Sequence, residues 1–324
     1  MNGNETCVFA FGHLRNADGE PSHSARVFMD ERARRILQDQ NNDHALNEAI
    51  LATEEESALK TKLLTHLLER LGGRADYERL RALKKDRLER VKKLLSALPV
   101  LDSPGTPGGP FSNPDPESVQ VWWANTNWWY PAGESTMWMD GTGVHVAAHF
   151  ESDDGDLHSY SIRVLAHFEI SAERMPAKGR AYLSNPAFEV SGHAFGFTAQ
   201  SGLYDFGDSW SKCWLNIRQT VFMFTDPGPP TPGVLQFLVG QPLGTATDSR
   251  AVVFTEDGSA VHANFPGLMG LPLSFFLPET ARSLLFEMEW RFDVQIEDGL
   301  LYLGHRPDGP VCTIQHPQWP IRPV

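Results

Sequence analysis

The strongest constraint on the fold is a run of strict alternation near the C-terminal end, LLFEMEWRFDVQIEDGLLYL at residues 284–303. From Phe286 to Ile296 every second residue is apolar, and the residues between them are charged or polar. A period of two is typical of a strand with one buried and one solvated face, and therefore predicts an antiparallel sheet. Asp298 and Gly299 predict a type I′ hairpin turn, after which residues 300–303 form the returning strand.

A second hairpin is predicted between residues 144 and 166, where two alternating apolar segments flank Asp154, Gly155 and Asp156. A three-residue turn would pair Phe150 with Tyr160 and keep both apolar sets on one face. Further short strands are predicted near residues 188–199, 213–225, 234–240, 250–256 and 311–316. Many short strands with glycine and proline between them are typical of a β-sandwich or jelly roll.

The N-terminal part of the chain has a helical period instead. Leucines at spacings of three and four predict one helix from about residue 43 to 71 and another from about 75 to 98. Gly72 and Gly73 separate them, and a shorter helix is predicted within residues 24–40. This pattern predicts an antiparallel hairpin of two or three helices.

A segment rich in proline and glycine separates these two patterns. Residues 102–117 contain five prolines and three glycines in sixteen positions, which helices and central strands do not tolerate. The predicted class is therefore α+β and multidomain, a helical hairpin followed by an antiparallel β-sandwich resembling a jelly roll. Its predicted parts are an N-terminal segment (1–23), the helical domain (24–101), a linker (102–118) and the β-sandwich domain (119–324).

Composition excludes several classes of function. Of the 324 residues, 41% are hydrophobic and 21% charged, as in a globular protein, and the net charge of −13 argues against binding to nucleic acid or anionic membranes. Cys7, Cys213 and Cys312 are too few and too dispersed for a disulfide framework or a zinc ribbon. The sequence predicts neither a cleavable signal peptide nor a membrane span, hence synthesis in the cytoplasm, with later release left open.

Tryptophan is concentrated between residues 121 and 141, which hold five of the nine tryptophans. If residues 121–130 form a strand, Trp123, Asn125, Asn127 and Trp129 share one face. Indole rings stack on sugar rings and amides bind their hydroxyls, so this row is a candidate glycan-binding surface. The alternative is that the row is buried within the protein or an assembly.

Two acidic residues suggest an enzymatic alternative. Glu287 and Glu289 stand two positions apart on one strand face, where Cα atoms are about 6.6 Å apart. This separation suits the paired carboxylates of a retaining glycoside hydrolase. A charge ladder on a solvent-facing strand is the competing interpretation.

Histidine and cysteine give weaker indications of chemistry. His145, His149 and His167 are predicted on the polar face of the second hairpin, but about 13 Å separates residues four apart on a strand, too far to share one ion. We therefore predict neither a metal site nor a cofactor. Cys213 follows Lys212, which would lower the pKa of an accessible thiol, although a buried structural thiol is the favoured interpretation.

A basic segment contrasts with the acidic remainder of the chain. Residues 74–93 contain nine basic and four acidic residues, a charge of +5 against −18 for the rest. A solvated helix face is the ordinary explanation, and electrostatic docking onto an acidic surface is the alternative. The candidate docking residues are Arg81, Lys84, Lys85, Arg87 and Lys92.

These observations together favour a non-enzymatic interaction protein. A β-sandwich would recognise a glycan or a protein partner, and residues 24–98 would bind a protein partner or self-associate. An adhesin, a lectin-like toxin component or a particle subunit would have this organisation. The two alternatives are a glycoside hydrolase acting through Glu287 and Glu289, and a purely structural assembly subunit.

Overall fold

The structure is a computed structural model, and it describes a large part of the chain. The described residues are 7–13, 27–36, 38, 62, 66, 82, 125–131, 135–139, 143–152, 157–170, 172, 175–198, 209–225, 240–256, 258–304, 312–318 and 321–324. The strands within them are β1 Cys7–His13, β2 Asn125–Pro131, β3 Ser135–Met139, β4 Gly143–Ser152, β5 His158–Ile170, β6 Arg180–Ser184, β7 Ala187–Ser191, β8 His193–Thr198, β9 Trp210–Phe224, β10 Gln241–Glu256, β11 Ala260–Asn264, β12 Gly267–Gly270, β13 Leu273–Leu277, β14 Ser283–Glu297, β15 Gly299–Leu303, β16 Cys312–Gln318 and β17 Ile321–Pro323.

The strands form three antiparallel sheets. A six-stranded sheet has the order β1-β2-β5-β14-β9-β10. An eight-stranded sheet has the order β11-β8-β15-β4-β16-β7-β12, with β3 added to β4. A three-stranded sheet has the order β13-β6-β17. The predicted strands near 188–199, 213–225, 250–256 and 311–316 are confirmed in position, whereas the one at 234–240 lies outside the described residues except for Gly240.

The two larger sheets pack face to face around one apolar core. Trp290 of β14 contacts the edge of Phe188 on β7, with ring centroids 5.4 Å apart. Phe275 of the three-stranded sheet contacts Phe286 of β14 in the same way at 6.0 Å. Side chains from all three sheets belong to one buried cluster. The predicted β-sandwich is therefore confirmed.

The alternation in β14 has the predicted consequence for its inner face. All even-numbered side chains from Leu284 to Ile296 are at most 1% exposed and lie in the core. The odd-numbered side chains point to the opposite face of the six-stranded sheet. That outer face is covered in part, because Leu285, Glu287 and Glu289 are also buried.

Both predicted hairpins are wrong. β4 belongs to the eight-stranded sheet and β5 to the six-stranded sheet, and β15 and β14 are divided in the same way. Phe150 and Tyr160 still meet, with ring centroids 4.5 Å apart, but they do so across the core between the sheets. Alternation specifies an apolar face and not a pairing partner, so a strand that crosses to the facing sheet satisfies it as well as a hairpin does.

The predicted α+β class with an N-terminal hairpin of two or three helices is also wrong. The described chain is mostly antiparallel strand with one short helix, α1, at residues 27–36. Its apolar side chains pack on the six-stranded sheet: Phe28 lies 4.8 Å from Phe222 between ring centroids, and Ile36 packs against Leu165. Because the sheet buries the apolar face of this helix, α1 does not need a helical partner.

Little more of the predicted helical region is described. Between residues 37 and 124 the structure describes only positions 38, 62, 66 and 82, each of them helical, so most of the predicted hairpin lies outside the described residues. The N-terminal strand β1 pairs with β2 along its whole length, which joins residues 7–13 to the sandwich. The predicted domain limits remain predictions. Within the described residues, no helix combines the length and apolarity needed to span a bilayer.

Candidate functional site

A polar groove of about 890 Å³ lies on the outer face of the six-stranded sheet. Its lining comes from α1 and from strands β5, β9, β10 and β14. The lining residues are Arg32, Arg163, Asn216, Ile217, Arg218, Thr247, Asp248, Ser249, Glu289 and Arg291. We call this feature the arginine groove. Almost all of these side chains are charged or polar, in contrast to the apolar inner face of the same strands.

The strand register brings the charged residues together. On β14, Glu289 stands opposite Arg218 of β9, and Arg291 stands opposite both Asn216 of β9 and Arg163 of β5. Glu289 and Arg291 occupy odd positions of β14, whose even positions are in the core. The alternation that builds the core therefore also places a charged row on the outer face.

The groove floor is a network of ion pairs and hydrogen bonds. Glu289 pairs with Nη1 of Arg163 at 3.7 Å and with Nη2 of Arg218. Arg291 donates from Nε to Asp293 at 2.6 Å. Asn216 donates to the second oxygen of that carboxylate at 2.7 Å, and accepts a hydrogen bond from the Ser249 hydroxyl at 2.5 Å. These contacts hold the polar side chains in defined orientations.

Glu287 is not among the lining residues: it lies beneath Arg32 of α1, and it is only 1% exposed. Its carboxylate lies 3.1 Å from Nε2 of His167, 3.2 Å from Nε of Arg32 and 3.5 Å from Nη2 of Arg218. Burial by itself would raise the pKa of Glu287. The hydrogen bond and charge of His167, together with the guanidinium of Arg32, outweigh burial and lower that pKa to about 2.

The position of Arg32 follows from the spacing of the helix. Phe28, Arg32 and Ile36 recur every four residues, and therefore lie on one face of α1. Phe28 and Ile36 dock on apolar parts of the sheet, and Arg32 between them meets Glu287. The helix thus contributes the cation that neutralises a buried carboxylate of the sheet.

The predicted tryptophan and asparagine row lies on β2, between β1 and β5 of the same sheet. Residues 125–131 form a strand, as predicted for 125–130, and the register of β2 on β5 places Asn125 opposite His167, Asn127 opposite Leu165 and Trp129 opposite Arg163. Trp123 lies outside the described residues. The role of this row in binding a ligand remains a prediction.

The two predicted carboxylates share a face as expected, but not a solvent-facing one. Glu287 and Glu289 are 1% and 6% exposed, and both form ion pairs with Arg218. The solvent-exposed charge ladder is therefore wrong. Sequence reasoning missed Arg163 and Arg218 as their partners, although each occupies an outward position on an alternating strand.

The three histidines expected on one face of the second hairpin lie in two different sheets. His145 and His149 lie on β4 of the eight-stranded sheet, where His145 is 3.0 Å from the Thr313 hydroxyl and His149 stacks on Tyr302 at 4.3 Å. His167 lies in the other sheet, because β4 and β5 do not form a hairpin. The described residues contain no group of three or more histidine, cysteine and acidic side chains that could hold a metal ion.

Cys213 is a buried core residue, in agreement with the favoured interpretation. Its side chain is inaccessible to solvent, and burial raises the pKa of the thiol. The neighbouring Lys212 points to the opposite face, where it pairs with Glu256 at 3.3 Å. The alternative of a thiol with a lowered pKa is therefore wrong.

The predicted docking residues in the basic segment lie outside the described residues. These are Arg81, Lys84, Lys85, Arg87 and Lys92. The helical part that is described, α1, uses its apolar face on its own sheet. Docking through the basic segment remains a prediction.

Comparison with known proteins gives weak resemblances. No family model matches the sequence, and no curated protein matches it. The enzymatically active domain of bacteriophage CBA120 tailspike protein 4 aligns with 59% of this chain and 18% of that one, at 10% identity and a TM-score of 0.16. The VP2 subviral particle of infectious bursal disease virus aligns with 62% of this chain and 52% of that one, at 11% identity and a TM-score of 0.12.

A third structure, infectious bursal disease virus of the Gx strain, aligns with 69% of this chain and 64% of that one, at 12% identity and a TM-score of 0.11. The chain thus spans less than two thirds of each of these proteins. Similarity at this level carries no argument about function.

Proposed function

We propose that this chain is a non-enzymatic recognition protein that binds a glycan in the arginine groove. The observation that carries the proposal is the groove itself, a cavity of about 890 Å³ with a predominantly polar lining. Sugars are recognised by dense, oriented hydrogen-bonding groups, and the groove has guanidinium, amide, hydroxyl and carboxylate groups within one cavity.

Fixed orientation of these groups supports the proposal. Ser249, Asn216 and Asp293 form a hydrogen-bonded series, so the amide of Asn216 is held before a ligand arrives. A preorganised site loses less conformational entropy on binding than a flexible one. Trp214 adds an aromatic surface: it is half-buried and lies two positions from Asn216 on the same face of β9. The predicted row at Asn125, Asn127 and Trp129 would lie on the other side of the groove, on β2 beside β5.

The state of the two glutamates disfavours the hydrolase alternative. A retaining glycosidase needs one carboxylic acid that is protonated at working pH. Glu287 has a pKa of about 2 and is covered by α1, and Glu289 is held by two arginines. Both carboxylates act in this proposal as anchors for guanidinium groups.

We also propose that the chain self-associates through residues 24–98. Its surface would lie on residues other than the apolar stripe of α1, since Phe28, Met29 and Ile36 pack within the chain. Light scattering on the full-length chain over a hundredfold concentration range measures this property. A constant monomer mass would exclude self-association.

The recognition proposal is tested by titrating the full-length protein with a panel of neutral and acidic oligosaccharides in a calorimeter. We expect at least one ligand with a millimolar or tighter dissociation constant, and an Asn216→Ala variant that binds it about tenfold more weakly because its amide contacts are lost. The matched control is Asn264→Ala, an exposed asparagine on β11 of the other large sheet, which should bind normally. Absence of binding across the panel, or equal loss in both variants, would exclude the groove as a glycan site.

A further inference from the structure

The arginine groove is cationic at its surface although the chain as a whole is strongly acidic. The groove is lined by four arginines, Arg32, Arg163, Arg218 and Arg291, and by two carboxylates, Glu289 and Asp248. The net charge of the full chain is −13. A local excess of arginine in such a chain concentrates positive potential in one cavity.

The two glutamates lie deeper than Arg218 and Arg291. The side chains of Glu287 and Glu289 are 1% and 9% exposed, whereas those of Arg218 and Arg291 are 35% and 38% exposed. An incoming ligand therefore meets guanidinium groups before it meets the glutamates. Arg291 also stands directly opposite Arg163 across the strand pair, and Asp293 and Glu289 compensate these two like charges.

Arg218 and Arg291 each have N–H groups that do not contact their carboxylate partners and that could donate to a ligand. Among the described residues, Arg218 contacts its carboxylate partners through Nη2 and Arg291 contacts Asp293 through Nε. The Nη1 group of Arg218 and both terminal nitrogens of Arg291 therefore remain for other acceptors. Two terminal N–H groups on one planar guanidinium match the two oxygens of a carboxylate.

From this geometry we propose that the glycan bound in the groove is an acidic oligosaccharide whose carboxylate is held by Arg291 and Arg218. Hydroxyl groups of the same sugar would contact Asn216, Thr247 and Ser249 beside them. This inference rests on the proposed glycan recognition and specifies its ligand class. A uronic acid or a nonulosonic acid in the saccharide would carry such a group.

The test compares pairs of ligands that differ only in the carboxylate. Trigalacturonate and 3′-sialyllactose are each titrated into the full-length protein beside their methyl esters. We expect the acid of at least one pair to bind ten to a hundredfold more tightly than its ester, because a charged hydrogen bond is lost in the ester. The preference should shrink when NaCl is raised from 50 to 500 mM, since both arginines are partly exposed.

Two substitutions at Arg291 test whether the preference for the acid over its ester arises in the groove. Arg291→Gln should remove most of the difference between acid and ester, and Arg291→Lys should restore it only in part, because lysine keeps the charge but lacks the planar fork. Arg180→Gln, an exposed arginine on β6 of the three-stranded sheet, is the matched control and should leave the difference intact. Circular dichroism confirms that each variant is folded.

The possible failures are distinguishable. Equal binding of acid and ester would overturn the carboxylate inference and leave glycan recognition standing. Failure of every saccharide to bind would remove both. Binding of a hexaglutamate peptide without binding of any saccharide would assign the groove to an acidic protein partner, and would likewise overturn the inference.

Discussion

Glu287 of β14 connects three other elements on the outer face of the six-stranded sheet. Three cationic or hydrogen-bonding side chains from different elements meet its carboxylate: His167 of β5, Arg218 of β9 and Arg32 of α1. Buried ion pairs contribute little net stability compared with apolar packing, but loss of one partner leaves an uncompensated charge and is strongly destabilising. The network therefore fixes how strands and helix are aligned more than it adds to the free energy of unfolding.

The lowered pKa of Glu287 predicts acid sensitivity. Its folded-state value of about 2 is below the reference value of 4.5, so the stabilisation it provides is present above pH 4.5 and is lost as the pH falls toward 2. The loss is on the order of 3 kcal/mol in the free energy of unfolding. Urea denaturation at several pH values between 5 and 2 measures it. Glu287→Gln should be less stable at neutral pH and lose less stability on acidification.

The matched control for this prediction is Glu256→Gln. Glu256 pairs with Lys212 at 3.3 Å, but its side chain is 51% exposed, so water already screens its charge. This variant should follow the acid dependence of the unmodified chain. An unchanged acid dependence in Glu287→Gln would contradict the assignment of the transition to Glu287.

At the scale of elements, α1 acts as a cover on one end of the six-stranded sheet. Its apolar residues seal Leu165 and Leu285 from water, and its arginine closes over Glu287. Packing on the sheet buries the apolar face of the described part of this helix and so helps to maintain it. The floor of the groove near Glu287 therefore depends on how tightly the helix is docked.

Truncation of Ile36 should loosen this helix. Ile36 is 1% exposed, and Ile36→Ala is expected to weaken docking by about 2–4 kcal/mol through lost burial and a residual cavity. Hydrogen exchange of the amides in residues 27–36 measures the change as faster exchange with the rest of the sandwich unaffected. Arg34→Ala is the control, because the side chain of Arg34 is 75% exposed. Unaltered protection in Ile36→Ala would show that the helix is held by other contacts.

At the scale of the whole molecule, one core unites the three sheets. Cys213 comes from the six-stranded sheet and Cys312 from the eight-stranded sheet, and both are inaccessible and free. Burial raises the pKa of both thiols, which makes the reactive thiolate scarce as well as hidden. Their reactivity therefore reports separation of the sheets.

Thiol labelling tests the unity of this core. In a Cys7→Ser background, Cys213 and Cys312 should react with an aromatic disulfide reagent more slowly than a free thiol by roughly several thousandfold or more, because exposure requires global opening. Labelling in urea should rise at the same midpoint as the loss of far-ultraviolet circular dichroism. Phe276→Cys in the same background is the exposed control, since Phe276 is 57% exposed. Rapid native labelling of Cys213 would indicate that the sheets open separately.

The sequence predicted the elements of the β region well, because alternation is a local property. Residues 286–296 form the interior of β14 as expected, and Cys213 is buried as expected. Alternation also predicted that Glu287 and Glu289 share a face. Local patterns succeeded wherever the question was which side of a strand a residue occupies.

Only the tertiary structure decided which strands pair and what covers the outer face. Asp298 and Gly299 suit a hairpin or a crossing to the facing sheet equally well, and the choice depends on partners distant in sequence such as β4 and β9. The arginine groove and the burial of Glu287 depend on long-range register and on the docking of α1. The sequence alone determined that β14 has an apolar face and a charged face. Tertiary packing determined that the charged face is partly covered, because burial and ion pairing depend on contacts between elements.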